Sequence, residues 1–157
     1  ADALSRIVVQ NALFLGRKRA SALTIPWCTF TSPEVAQVGV TGQEAAAAGA
    51  ATIRIPLAEV DRSVVDEDRD GFVQIHHDRG RIVGATIVAP SAGELIGTVA
   101  LAMQHGLGLA ALAGAIFPYP TVSLALRQAG DAFRRQSLTP TVRRALDYYF
   151  ALRRRRS

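Results

Sequence analysis

The sequence contains one cysteine, Cys28, in 157 residues. That count excludes a disulfide framework and any cysteine-based metal cluster. A single free thiol fits a reducing compartment, and Cys28 reads as a small core or strand residue in the alternating run Pro26-Trp27-Cys28-Thr29-Phe30-Thr31. No uncharged apolar stretch reaches the roughly 18 residues that a membrane span requires. Residues 1–15 lack the basic start and small-residue cleavage site of a secretory signal, and the first residue is not Met. The chain is therefore expected to be a fragment of a longer protein. No G-x-G-x-x-G follows a strand, and there is no P-loop, no G-x-S-x-G elbow, no C-x-x-C and no His/Glu zinc spacing. Asp66, Glu67, Asp68 and Asp70 form a hydrophilic run that reads as a solvated loop. No self-sufficient catalytic apparatus is legible.

What is present describes a soluble globular chain of about one domain, 49% hydrophobic and 20% charged. The net charge of +5 is unevenly spread. From Arg127 onward nine arginines face two aspartates, a surplus of +7 that leaves the rest at −2. A basic end attracts anionic partners. Most of these arginines, however, fall in helical segments where their heads are solvated. Only Arg153–Arg156 is a true run, placed at a helix C-terminus where cations complement the dipole. This pattern argues against nucleic-acid binding and membrane binding.

Periodicity predicts a helix over 2–14 with Leu4, Ile7, Val8, Ala12 and Leu15 near one face, closed by Gly16 and Arg17-Lys18-Arg19. Strands are expected over Trp27–Thr31 and Val35–Val40, separated by the turn Ser32-Pro33-Glu34. Thr41 with Glu44 is a capping box opening a helix over Gly42–Ala48, closed by Gly49. Thr52–Leu57 alternates as a strand, and Asp61–Gly71 reads as a surface connection with no core signal. Phe72–Asp78 and Arg81–Ala89 are expected to form a hairpin through Asp78-Arg79-Gly80. His76 and His77 then point to opposite faces and share no ligand site, and both read as solvated or edge residues. Ser91 with Glu94 reads as a second capping box, opening a helix to His105 with Leu95, Ile96, Val99 and Met103 buried. A connector over Leu107–Gly114, a helix over Thr121–Arg135, and a last helix with Thr139-Pro140 at its start complete the order. Val142, Leu146, Tyr149 and Leu152 are its apolar stripe. The fold class is α+β, two layers, a mostly antiparallel sheet with helices on one face.

One loop stands out: Ala115-Ile116-Phe117-Pro118-Tyr119-Pro120-Thr121. Each proline fixes its own φ and pushes the preceding residue toward extended backbone. Tyr119 is thus mounted on a stiff loop, with Thr121 having the chemistry of an N-cap. Taken alone, the Arg-rich end leaves a second class open, a stand-alone interaction module holding an anionic partner.

Three ordered runs carry a resemblance. Residues 25–39, Ile-Pro-Trp-Cys-Thr-Phe-Thr-Ser-Pro-Glu-Val-Ala-Gln-Val-Gly, resemble the opening of the C-terminal domain of the flavin-dependent pyridine nucleotide–disulfide oxidoreductases. Residues 80–96 are similar to that family's Ile-x-Gly-x-x-x-x-Gly-x-x-Ala-x-Glu-x-Ile, and the Pro-Tyr-Pro loop falls at its His-x-His-Pro-Thr-x-x-Glu. Residues 1–15, with Arg6, Asn11, Ala12 and Leu13, resemble the last helix of the preceding FAD domain.

The resemblance implies that residues 1–20 end an FAD domain and its linker, and that 21–157 form a homodimerisation domain. In the full-length enzyme FAD and NAD(P) would be bound, with none expected on this fragment, which alone would be inactive and cytoplasmic. Partners would be a second copy and the FAD and NAD-binding domains of the same protein. Phe117, Pro118, Pro120 and Thr121 would lie near the partner subunit's FAD, and Tyr119 occupies the position of the family histidine. Phe117 and Tyr119 stand where that family has histidines, and Leu124 where it has the glutamate. A phenol with a pKa of about 10 shuttles protons poorly at pH 7. The loop resembles that of the mercuric reductase branch, whose C-terminal cysteine pair is absent from the end Leu152-Arg153-Arg154-Arg155-Arg156-Ser157. Catalytic, ligand and packing roles for Tyr119 all remain open.

Overall fold

The computed structural model describes residues 2–136, 138 and 140–154. Five strands form one sheet in the order β1-β2-β5-β4-β3: β1 Trp27–Thr29, β2 Glu34–Gly39, β3 Ala51–Pro56, β4 Phe72–Asp78 and β5 Arg81–Ala89. All four pairings are antiparallel. The helices are α1 Asp2–Leu13, α2 Gly42–Ala47, α3 Asp61–Val65, α4 Ala92–Gln104, α5 Leu109–Gly114, α6 Leu124–Gln136 and α7 Pro140–Arg154. Among the described residues no helix is long and apolar enough to cross a membrane.

Period-two alternation builds the core. Ala36, Val38, Ile53, Ile55, Val73, Ile75, Ala85 and Ile87 point to one face and are buried. Against it lie Leu95, Ile96 and Val99 of α4, Leu109 and Leu112 of α5, and Ala125, Leu126 and Ala129 of α6, spaced three and four apart as a helix face demands. The opposite sheet face carries a polar row that follows the register, Gln37–Thr86–Gln74–Arg54. Thr86 Oγ1 donates to Gln37 Oε1 at 2.5 Å, and Arg54 packs its guanidinium over the Phe72 ring at 3.5 Å.

Several expectations are corrected. His76 and His77 are neither solvated nor at an edge; they are 1% and 4% exposed. His76 lies under α2, with Nδ1 2.8 Å from Thr52 Oγ1. His77 lies under α6, its ring edge-on to Phe133 at 5.2 Å, its Nδ1 accepting from Gly80 N. A register shift between the two residues lets consecutive side chains both find cover. Burial holds both imidazoles below their ordinary pKa, Asp78 partly opposing the effect at His77.

The segment Asp61–Gly71 does have a core anchor. Leu57 and Val60 are fully buried just before it, and α3 buries Ser63. Glu94 and Ser91 form no capping box at α4. Instead Glu34, from β2, accepts from Gly93 N at 2.9 Å, a cap supplied through tertiary structure. The box at Thr41 and Glu44 is formed as read. Helix α6 begins at Leu124, so Thr121 does not cap it; its hydroxyl donates back to Pro118 O at 2.7 Å. Met103 is only half-buried.

Helix α1 forms, but none of its residues is buried, and Leu4, Val8, Leu13 and Phe14 are exposed. Asn11 closes the following turn by exchanging two hydrogen bonds with the Lys18 backbone, at 2.8 and 3.0 Å. In α7, Val142 and Tyr149, two of the four residues of the expected stripe, are exposed. Thr139 and the side chains of Leu146 and Leu152 lie outside the described residues.

Two close approaches position α5 and α6. At Gly130 an added Cβ would sit 2.5 Å from both Ala113 N and Leu109 O, so the two helix backbones meet there without an intervening side chain. The β4–β5 turn has positive φ at Arg79 (48°) and Gly80 (92°), the twist-matched hairpin turn. Its Gly80 carbonyl accepts from Leu109 N at 2.9 Å, tying the hairpin tip to α5.

Candidate functional site

The loop between α5 and α6 is built from an inward anchor and an outward tip. Phe117 packs against the core, while Ile116 is 96% and Tyr119 73% exposed. Pro118 and Pro120 flank Tyr119 at the surface, and the Tyr119–Pro120 peptide is cis. Thr121 closes the loop: its Oγ1 bonds Pro118 O and lies 2.7 Å from Ser123 Oγ. The helix that carries the loop is itself tied down, Gln128 Nε2 donating to Glu59 O at 3.1 Å.

Beside the loop is an open cleft of about 390 Å³, bounded by Pro120–Ser123 on one side, Arg62, Ser63, Asp66 and Asp68 on another, and Pro90, Ser91 and Leu95 behind. Ser63 Oγ is buried with no hydrogen-bond partner. Arg62 and Asp66 pair across one turn of α3 at 2.6 Å. Interaction with the Asp61 carboxylate, hydrogen bonding first and charge second, raises the Tyr119 phenol above its ordinary pKa.

The structure thus brings Phe117, Pro118, Tyr119, Pro120 and Thr121 together on one stiff mount and adds a residue the sequence did not suggest, Asp61. No local signal marks Asp61, because its partner comes from a distant part of the chain. Cys28 lies away from the loop, its Sγ 3.9 Å from Glu34 Oε2. Burial first, then the Glu34 charge and hydrogen bond, push this thiol up from its ordinary pKa. Among the described residues no group of His, Cys, Asp and Glu is arranged to hold a metal ion.

The family model described as the pyridine nucleotide-disulphide oxidoreductase dimerisation domain matches residues 25–129. The chain belongs to this family. It is 37% identical over 110 residues to dihydrolipoyl dehydrogenase of Mycoplasma pneumoniae, covering 68% of this chain and 24% of that protein. To the mercuric reductase of Acidithiobacillus ferrooxidans it is 37% identical over 126 residues, covering 77% and 23%. The crystal structure of LpdA from Mycobacterium tuberculosis superposes with a TM-score of 0.73 at 36% identity, covering 81% of this chain and 28% of that one. The chain therefore spans about a quarter of the length of the curated relatives it matches. Within the pyridine nucleotide-disulphide oxidoreductase dimerisation domain, the sheet, its covering helices as far as Ala129 of α6, and the Pro-Tyr-Pro loop all fall inside the matched residues.

Proposed function

We propose that this dimerisation domain serves an FAD-dependent NAD(P)H oxidoreductase of the mercuric reductase-like branch, working as a homodimer in a reducing cytoplasm. Residues 1–20 would be the last helix and linker of the FAD domain and 21–157 the dimerisation domain. The loop at 117–121 would enter the partner subunit's flavin and redox-disulfide cavity, and the fragment alone would be inactive.

The observation that carries this reading is the loop itself. Phe117 is anchored in the core while Ile116, Pro118, Tyr119 and Pro120 are held outward on a helix fixed from below. A stiff surface of two prolines, an aliphatic side chain and a phenol suits the edge of a conjugated ring system. The chain offers no glycine-rich phosphate cradle, so FAD would be held by the other domains and only walled by this one. When bound, the flavin supplies electron transfer from NAD(P)H to a disulfide. The chain's own part is to exclude water and present one hydrogen-bonding oxygen. Tyr119, a phenol whose pKa is raised further above its ordinary value of about 10, is neutral at pH 7 and would orient rather than shuttle. Exposed α1 supports an intrachain neighbour, since its apolar side is left bare here.

In the full-length holoenzyme, Tyr119→Ala and the pair Pro118→Gly with Pro120→Gly are expected to lower kcat and alter flavin fluorescence while sedimentation still reports a dimer. Unchanged turnover and an unchanged flavin spectrum in both would refute the placement of the loop.

A further inference from the structure

The tip of the β4–β5 hairpin is held by a buried imidazole. Gly80 N donates to His77 Nδ1 at 3.2 Å, so that nitrogen is bare and the neutral ring bears its one hydrogen on Nε2. Among the described residues, buried Nε2 has no hydrogen-bond partner. The turn shaped by this bond is also the seat of the helix pair. Gly80 O accepts from Leu109 N, at the start of α5, at 2.9 Å. A Cβ added at Gly108 would lie 2.5 Å from Gly80 O, and one added at Gly80 would lie 2.6 Å from Phe133 Cζ. Both helices therefore press directly on the turn, and Phe133 also stands edge to face with the His77 ring.

A second proton on this ring has no acceptor. At Nδ1 it would set one N–H against another, that of Gly80, and leave a charge in an apolar pocket. The charged groups nearby offer little compensation. On the same strand, Asp78 is 62% exposed and engaged by Arg79 at 3.4 Å. Helix α5 carries no charged residue; on α6, Arg134 and Arg135 follow Phe133, and Asp131 pairs with Arg127 at 3.8 Å. Arg81 opens β5, and β3 sets Ala51 opposite His77, with its Arg54 over Phe72 at the far end. His76, the other imidazole, lies apart under α2.

We propose that His77 is a proton-operated latch on the helix pair. With Nδ1 bare it holds the turn that seats α5 and α6; with a proton there it releases the Gly80 amide, and the turn end of the pair opens while the sheet stays formed. Opening lets the imidazolium reach water, so the open form binds the proton more readily. Burial keeps the seated ring below its ordinary pKa of 6.5, Asp78 partly opposing. The latch is therefore closed above pH 6.5, and each unit of fall below it favours opening by up to about tenfold. The loop that bears Tyr119 joins α5 to α6 at the opposite end of the pair, so mild acid reaches that surface through the latch.

The test is amide hydrogen exchange of the 157-residue chain, followed by NMR from about pH 7.5 to about pH 5.5. After correction for intrinsic exchange, protection of the Gly80 and Leu109 amides is expected to fall about tenfold over the last pH unit, while amides of the β2–β5 ladder keep theirs. Imidazole nitrogen shifts are expected to report the His77 proton on Nε2 at neutral pH. His77→Asn, whose Oδ1 can accept from Gly80 N without titrating, is expected to hold protection constant. His77→Phe, which keeps a ring and lacks the acceptor, is expected to leave both amides weakly protected already at neutral pH. A proton on Nδ1 at neutral pH, pH-independent protection at Gly80 and Leu109, or a fall shared equally by the sheet overturns the latch. So does an equal fall in His77→Asn, which would assign the effect to His76. Should His77→Asn fail to fold, the tautomer and the site-by-site protection of the parent still decide.

Discussion

Replacing Gly130 with alanine tests whether α5 and α6 are locked backbone to backbone. Alanine ordinarily stabilises an exposed helix interior by about 1 kcal/mol relative to glycine. At Gly130 the new Cβ lies 2.5 Å from Ala113 N and Leu109 O and 2.9 Å from Ala113 Cα, against an ordinary contact of 3.4 Å or more. All three obstructing atoms are backbone, so no side chain can swing aside and α6 must lift from α5. Overpacking costs about 1–3 kcal/mol, and a rigid partner places this case at the top of that range. The net expectation is a loss of about 2 kcal/mol. For a chain of this size that corresponds to a fall in Tm of roughly 4–8 °C. Gly97 on α4 supplies the opposite control, because an added Cβ there meets nothing within 4 Å. Gly97→Ala should gain about 0.4–1 kcal/mol through the unfolded chain. Urea and thermal unfolding of both variants beside the parent read the two signs. A Gly130→Ala variant as stable as the parent, or one that tracks Gly97→Ala, would refute the close-approach reasoning.

Other expectations follow from individual groups. Burial depresses the pKa of His76 and His77 from 6.5. The unfolded chain therefore binds protons that the folded chain refuses, and their contribution is complete above pH 6.5 and lost as pH falls below it. Urea midpoints taken from neutral to mildly acidic pH should show that slope, and His77→Gln should flatten it; an unchanged slope sinks the assignment. Ser63→Ala removes a buried hydroxyl that has no partner. It should be neutral or stabilising by up to about 1 kcal/mol, and a loss larger than that in chemical denaturation would show that the hydroxyl is satisfied in solution. Alkylation of Cys28 near neutral pH should be slower than that of a free thiol, because burial and Glu34 raise its pKa. Glu34→Gln should speed it, and an unchanged rate counts against the Glu34 contribution.

Elements with a strong local period were legible. The β4–β5 hairpin and the Thr41–Glu44 box needed only alternation, cap chemistry and glycine punctuation, and α4 and α6 were legible from their apolar period although the caps read at Ser91 and Thr121 do not form. What sequence could not show lies in partners remote along the chain. Two adjacent histidines in a strand look half-solvated until α2 and α6 arrive from either side to cover them. Glu34 reads as a turn residue, yet its carboxylate caps a helix that begins after Pro90. The 61–71 segment looked coreless because its charges outnumber its apolar residues, although Val60 and Ser63 anchor it. At the site, the stiffness of the Pro-Tyr-Pro mount was visible in the residues, whereas the cleft beside it, walled by Arg62, Ser63 and Pro90 from distant parts of the chain, was not.

The junction at Gly80 also has a kinetic meaning. The β4–β5 hairpin joins residues close in sequence, so its closure carries a small loop entropy and can come early. Only when its tip has formed does the Gly80 carbonyl exist in place for α5, with the His77 ring beside it for Phe133 of α6. Helix docking, and with it the shape of the loop that bears Tyr119, is therefore expected to follow the finished turn. Substitutions at Arg79 or Gly80 should slow refolding, and substitutions along α6 should chiefly hasten unfolding. On this order, the loop that bears Tyr119 is expected to be the last part of the domain to be assembled and the first to be released.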